Sequence, residues 1–353
     1  MDLFGKNELL GIDVGSTSIK IVEVSRIGKK STLKNYISFS LPPSEQSLKI
    51  FEDKNLVLIS NQAAQIIQAL LRKARIKTKK AVFSLPDFST FFATFSLPPM
   101  HEAEIAQAVD FEIRHYIPLP LNEVTFDWQI IAREETAAGV KVKILLAAVP
   151  NTVIYNYQQL AQMTQLEVQG MEAEVFGFIR SCWPSSEKYR FLPLCLIDLG
   201  WESTTVSIAQ NKQLLNSFSF DFGGRTLIND LSASLKISAQ EAEQLKNRYG
   251  LDPQKPEVAR PLLDKINLLA LEVEKICEDF YRQTNKRIDN IFLAGGSASL
   301  FGLKEYLSSR IKKNVFLADP FAALSFPLLL SQRLKQLGPS FAIAVGAALL
   351  ENR

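Results

Sequence analysis

Leu9-Leu10-Gly11-Ile12-Asp13-Val14-Gly15-Ser16-Thr17-Ser18-Ile19-Lys20-Ile21-Val22-Glu23-Val24 reads as strand, tight turn and returning strand. A buried apolar run ends at Asp13-Val14, small residues fill the turn from Gly15 to Ser18, and the return begins at Ile19. The pattern recurs 185 positions later, with Asp198 in the place of Asp13. Leu194 to Gly200 is again an apolar run ending in Asp-x-Gly, Trp201 to Thr204 is the turn, and Thr205 to Ile208 is the return. Two copies of one hairpin predict two related lobes.

The chemistry of such a turn is that of an anion site. Glycine lets the backbone approach a ligand, and successive N–H groups at a tight turn form a nest for phosphate. The hydroxyls of Ser16, Thr17 and Ser18 add donors, and Lys20 can place a point charge on a β- or γ-phosphate. Asp13 can hold Mg²⁺ through water. A single Asp-x-Gly-Ser also describes an ordinary turn. Two copies facing each other would clamp a polyphosphate, with Gly200, Ser203 and Thr204 on the second side and Gly223 and Gly224 assigned to the same ligand. Asp198 would stand opposite Asp13, sharing the metal and orienting the water that attacks a terminal phosphate. Further along, Ile291 to Ala294 runs into Gly295-Gly296-Ser297, where missing side chains leave room for a purine ring. Glu243 and Lys246 share a helix face and can meet a ribose and an adenine. Read alone, these two elements are equally a strand–helix turn and a solvated ion pair.

Composition narrows the class. The 353 residues, 47% hydrophobic, exceed what one domain usually needs. Forty basic against 37 acidic side chains leave no overall footprint for nucleic acid. The basic runs Lys29-Lys30 and Arg72 to Lys80 read as solvated faces. Cys182, Cys195 and Cys277 are isolated among apolar neighbours and read as buried thiols, and His101 and His115 lack metal-ligand spacing. The N-terminus does not read as a signal peptide, no run is long enough to span a bilayer, and no amphipathic tail follows the last apolar segment. Any membrane association is therefore expected through a partner.

The middle of the first half has its own organisation. A strand to Leu97 stops at Pro98-Pro99, a helix runs from His101 to Tyr116, strands span 124–131 and 140–149, and a helix begins near Asn151. This β-α-β-β-α order describes a small inserted α+β unit.

The order of the two hairpins, the Glu-x-x-Lys helix, the Gly-Gly turn and a last apolar helix with Gly346 resembles the actin, chaperone and sugar-kinase superfamily. Within it, Leu10 to Lys20, and the insert with Phe111-Glu112-Ile113-Arg114-His115-Tyr116-Ile117-Pro118-Leu119-Pro120-Leu121 and Asp127-Trp128, resemble the PilM family of type IV pilus assembly. The resemblance implies a two-lobed actin-like (ribonuclease H-like) α/β ATPase fold with an FtsA-like 1C/SHS2 insert. Lobe I would comprise residues 1–192 and 337–353, the insert about 86–165, and lobe II 193–336. Gln169 to Gly177 and Phe341 to Leu349 would be the helices connecting the lobes. Trp201-Glu202 departs from the small residues expected at the second turn, and Glu202 is expected to point outward. The implied ligands are ATP and Mg²⁺, with slow or partner-dependent hydrolysis. The implied role is a cytoplasmic adaptor that captures the tail of a PilN-like inner-membrane protein and contacts pilus assembly ATPases. An FtsA-like filament protein and a sugar-kinase-branch enzyme are the alternatives.

Overall fold

Strands β1 (Asn7–Val14) and β2 (Ser18–Ile27) pair antiparallel with Asp13 opposite Lys20, and the Gly15 N–H closes the turn on the Ser18 carbonyl at 2.9 Å. This computed structural model describes residues 7–41, 51–52, 56–57, 61–137, 139–184, 186, 189 and 191–351. Pro42-Pro43, the first six residues, the terminal Asn352-Arg353 and most of residues 184–188 lie outside the described residues.

The first lobe continues through β3 (Lys30–Ser40), a two-strand pair β4 (Phe51–Glu52) and β5 (Leu56–Val57), helix α1 (Asn61–Lys73) and β6 (Lys80–Leu85). A separate unit then follows: β7 (Phe91–Leu97), α2 (Ile105–Glu112), β8 (Val124–Thr136) and β9 (Gly139–Pro150). Its antiparallel sheet has the order β7-β9-β8, and Phe95, Leu97, Ile105, Val109, Ile113 and Ile144 form its own core. Helix α3 (Asn151–Thr164), which the element order groups with this unit, buries Val153, Tyr157 and Leu160 in the core of the first sheet instead. Strand β10 (Glu167–Ala173) completes that sheet and leads into α4 (Glu174–Cys182). Residues 169–173, expected as the start of a connecting helix, are therefore strand, because they pair with β6.

The second lobe comprises β11 (Leu194–Leu199), β12 (Thr204–Gln210), β13 (Gln213–Phe220), α5 (Gly224–Leu235), α6 (Ala239–Tyr249), α7 (Pro256–Thr284), β14 (Asn290–Ala294), α8 (Leu303–Ile311) and β15 (Asn314–Leu317). Its sheet order is β13-β12-β11-β14-β15, against β10-β6-β1-β2-β3 in the first lobe. In both, three antiparallel strands are extended by two parallel ones beside the first. The repeat read in the hairpin thus covers the whole sheet.

Helix α9 (Ser331–Ala348) starts ten residues before Phe341, the expected start of the connecting helix, and Pro339 lies within it. Helix α7 starts at Pro256 and carries Pro261 near its start. Proline at the first helical position costs nothing, because that N–H has no intrahelical partner. Helix α9 crosses the first sheet from Leu33 on β3 to Gly11 on β1, where a Cβ would lie 1.9 Å from the Ala344 carbonyl. It also crosses α4, and a Cβ on Gly346 would lie 1.9 Å from the Gly177 carbonyl. On its other side α4 packs Phe178 and Cys182 with Leu196 and Ala294 of the second sheet.

These contacts are backbone to backbone and cannot relax by rotamer change. Gly346→Val should destabilise the protein by at least about 3 kcal/mol. Gly28→Ala, at φ +58° with nothing within 4 Å of its Cβ, should cost only about 1 kcal/mol. Paired denaturant melts measure both.

Candidate functional site between the two hairpins

The two hairpin turns face one cleft of about 400 Å³. Asp13, Gly15, Ser16, Thr17, Ser18 and Lys20 line it from the first lobe, and Asp198, Gly200, Trp201, Glu202 and Ser203 from the second. Gly295, Gly296 and Ser297 follow β14 into the same space, and α6 presents Glu243, Lys246 and Asn247. The turns are built alike: the Gly200 N–H donates to the Ser203 carbonyl at 3.0 Å, as Gly15 does to Ser18.

The copies differ at one position. Lys20 donates to Asp13 Oδ2 at 3.0 Å and to Ser18 Oγ at 2.9 Å. The residue facing Asp198 is Thr205, whose hydroxyl is engaged with Ser219 Oγ at 3.0 Å. Asp198 Oδ1 is consequently buried with no hydrogen-bond partner. Burial, and then the nearby Asp13 carboxylate, push the Asp198 pKa from 3.8 to about 7, with Lys20 opposing. Gly295 abuts this carboxylate at φ +96°; a Cβ there would lie 2.6 Å from Asp198 Oδ1 and 2.3 Å from the Leu199 carbonyl. Only glycine takes that conformation and that space cheaply. Gly296 has nothing within 4 Å of its Cβ position, so it borders open cleft.

Two acids that sequence reading missed lie behind the floor. Glu174, in the first turn of α4, lines the cleft, and its Oε2 accepts from the Asp87 N–H at 3.2 Å. Asp87 Oδ1 in return accepts from the Val175 N–H at 3.1 Å and so caps α4. Burial raises Asp87 to about 8, against the lowering effect of the Val175 N–H, and burial raises Glu174 well above the usual carboxylate range. The only linear cue was a polar residue in an apolar strand–turn context, which turns share generally. Among the described residues, no group of three or more His, Cys, Asp or Glu side chains is placed to hold a metal ion. Any cation here would draw on paired carboxylates and the ligand's own oxygens.

The family model of type IV pilus assembly protein PilM matches residues 11–352. The chain belongs to the PilM family. Its fold also matches the solved structure of a PilM–PilN type IV pilus biogenesis complex, with TM-score 0.82 and 24% identity, covering 98% of each chain. An MreB of Spiroplasma citri bound to AMPPNP matches at TM-score 0.54 and 11% identity, over 98% of this chain and 96% of that one. The cell division protein FtsA of Bacillus subtilis is 22% identical over 354 residues, spanning 89% of this chain and 79% of the relative. The two-lobed actin-like fold follows.

Three residues assigned to the ligand stand elsewhere in this PilM-family chain. Thr204 is fully buried, its hydroxyl donating to the Phe222 carbonyl at 2.7 Å. Gly223 and Gly224 back the second turn: a Cβ on Gly223 would lie 2.3 Å from the Trp201 carbonyl, and one on Gly224 2.9 Å from the Oγ of the cleft-lining Ser297 and 3.1 Å from the Trp201 ring. Their small size serves the packing of Trp201 on the second core. Glu202, expected to point outward, stands at the cleft and pairs with Arg225 at 2.6 Å. The cation offsets a negative charge that would otherwise face an anionic ligand. On α6, burial lowers the Lys246 pKa while Glu243 opposes the shift. No described helix is long and apolar enough to cross a membrane.

The raised Asp87 gives a pH signature. The folded state keeps this proton up to about pH 8, the unfolded chain only to about 3.8. The folded state therefore binds more protons in that window, and stability falls as pH rises through it. Asp87→Asn keeps the Oδ1 acceptor for Val175 and removes the charge. Its melting temperature at about pH 8 should exceed the parent's by a few degrees, with a flatter profile from about pH 4 upward; melts across pH measure it.

Proposed function

We propose that this chain is an ATP-binding adaptor of type IV pilus assembly that holds the tail of a PilN-like membrane protein. The observation that carries the nucleotide reading is the unpartnered Asp198 Oδ1 beside the Gly295 cradle, opposite a lysine-bearing phosphate-type turn. A buried acceptor left without a donor costs free energy unless a ligand or ion satisfies it.

In this reading the amides and hydroxyls of Ser16, Thr17, Ser18 and Ser203, with Gly15 and Gly200 shaping the turns, hold the phosphates. Lys20, already in hydrogen-bond reach of Ser18, supplies positive charge there. Gly295, Gly296 and Ser297 leave room for the base, and Glu243 and Lys246 meet the nucleoside. Asp13 and Asp198 would hold Mg²⁺, whose chemical contribution is to neutralise charge on the phosphates. Asp198 is the acceptor suited to orient an attacking water, and Glu174 lines the same cleft. With Asp13 already held by Lys20, hydrolysis is slow or depends on a partner. The Trp201 ring and the Glu202–Arg225 pair narrow the second side.

The partner reading is supported by membership of the PilM family and by a fold shared with a PilM–PilN complex. The inserted sheet, with its own core beside the first lobe, offers a junction in which an extended or helical peptide could lie. Attachment to the cytoplasmic face of the inner membrane would come through that tail.

Two measurements test the proposal. Asp13→Ala and Asp198→Ala should each weaken Mg²⁺-dependent ATP binding at least about tenfold, read by calorimetry; unchanged affinity in both would remove the cleft assignment. Titration with a peptide copying the partner's cytoplasmic tail should saturate at one per chain. A change in peptide affinity with Mg-ATP would give the coupling between the sites, whereas no binding in either state would overturn the adaptor role.

A further inference from the structure

Two basic stretches to which the cleft gives no role meet at one end of the first lobe. Strand β1 runs from Asn7 toward the cleft, and β2 returns to pair Arg26 with Asn7. The β2–β3 turn at Gly28 and Lys29 therefore lies at the end of the sheet farthest from the ligand-facing turns. Strand β6 is parallel to β1 and pairs Ala81 with Leu10, so Lys79 and Lys80 enter at this same end. The segment joining α1 to β6 is pinned there. Arg75, at φ +53°, turns the chain out of α1, and the Thr78 hydroxyl lies 3.2 Å from the Glu8 carboxylate and 2.6 Å from that of Glu23.

The result is a concentrated charge. Lys29, Lys30, Arg72, Lys73, Arg75, Lys77, Lys79 and Lys80 are all exposed. Neither 26–34 nor 72–80 contains an acidic residue. Of the nearby acids among the described residues, Glu23 is buried, Glu8 is engaged by Thr78, and Glu351 pairs with Arg26 at 3.5 Å; Glu167 at the start of β10 is exposed. Ile27, 52% exposed, stands at the hairpin tip beside Lys29 and Lys30.

We propose that this end of the first lobe contacts a membrane surface containing acidic phospholipids. The cations are spread over a hairpin tip, a helix end and a strand start, which matches an extended negative surface better than a single bound anion. Lysine and arginine near such a surface each add a small attraction that sums over the cluster. Their alkyl stems and Ile27 can sit at the headgroup boundary. Nucleic acid is the poorer match, because neither stretch carries an aromatic ring on which a base could stack. The inference goes beyond the cleft and stands without it. Together with a partner's tail it would supply a second weak attachment of the kind that stable anchoring needs, and it would hold the lobe in one orientation.

The test uses the full chain without partner, cosedimented with vesicles of phosphatidylcholine alone or mixed with phosphatidylserine. Binding is expected to the mixed vesicles only, and to fall as salt is raised. The variant Lys29→Glu/Lys30→Glu/Lys77→Glu/Lys79→Glu should bind them at least about tenfold more weakly, with its melting temperature and ATP affinity retained. Should that variant fold poorly, Lys29→Gln/Lys30→Gln should still show a several-fold loss. Equal binding to both vesicle types, no binding to either, unchanged binding by the variants, or binding to a DNA duplex without binding to vesicles would each overturn the proposal.

Discussion

The Gly177 carbonyl occupies the place that a side chain at residue 346 would need, and the Ala344 carbonyl does the same for residue 11. Through these two contacts α9 lies directly on β1 and on α4. Strand β1 carries Asp13 at its end, while α4 carries Glu174 at its start and packs against the second sheet on its far side. The position of α4, which carries the second sheet on its far side, is thus fixed by backbone touching backbone. Such contacts have little give, because interiors are already packed to crystal-like density. Any motion of one lobe against the other must pivot about this crossing rather than spread through it.

Given that frame, the function of the cleft turns on a broken symmetry. Both lobes use the same sheet order, the same turn and the same aspartate. Lys20 neutralises Asp13, whereas Thr205, in the equivalent place, is occupied with Ser219. The second aspartate is left with a buried, unpartnered oxygen and a raised pKa. The aspartate of one hairpin has a partner within its own lobe, and one oxygen of the other's does not. The same site holds Asp87 and Glu174: Asp87 caps α4, Glu174 accepts from the Asp87 N–H, and the pair ties the start of the inserted unit to the cleft floor. A partner bound near the insert would therefore lie two hydrogen bonds from the cleft floor, a short path for coupling.

The hairpins, the Gly-Gly turn and the α6 residues were legible in the sequence because each combines a strong period with residues whose backbone freedom or donors have a specific use. The helix starts were less so. Local rules place proline outside a helix interior, yet Pro261 sits near a helix start and Pro339 within a helix held on both sides by tertiary packing. Thr204, Gly223 and Gly224 matched the composition of a phosphate site, but the Thr204 hydroxyl is bonded to the Phe222 carbonyl and the two glycines lie against Trp201. Small and hydroxyl residues look the same along the chain whether they make room for a ligand or for an indole. Asp87 and Glu174 were invisible for the opposite reason: their meaning lies in a contact between residues 87 positions apart.

By itself the sequence determined the class of fold, the duplication and the chemistry of both turns, since those depend on local periodicity and on residue type. Tertiary structure alone decided which aspartate keeps a partner, which glycines line the cleft and which pack against protein, and that the basic runs at Lys29 and at Arg72 to Lys80 share one end of a sheet. The physical reason is that burial, charge coupling and steric exclusion act over a few ångströms in space, and strand register, not distance along the chain, sets which residues come that close.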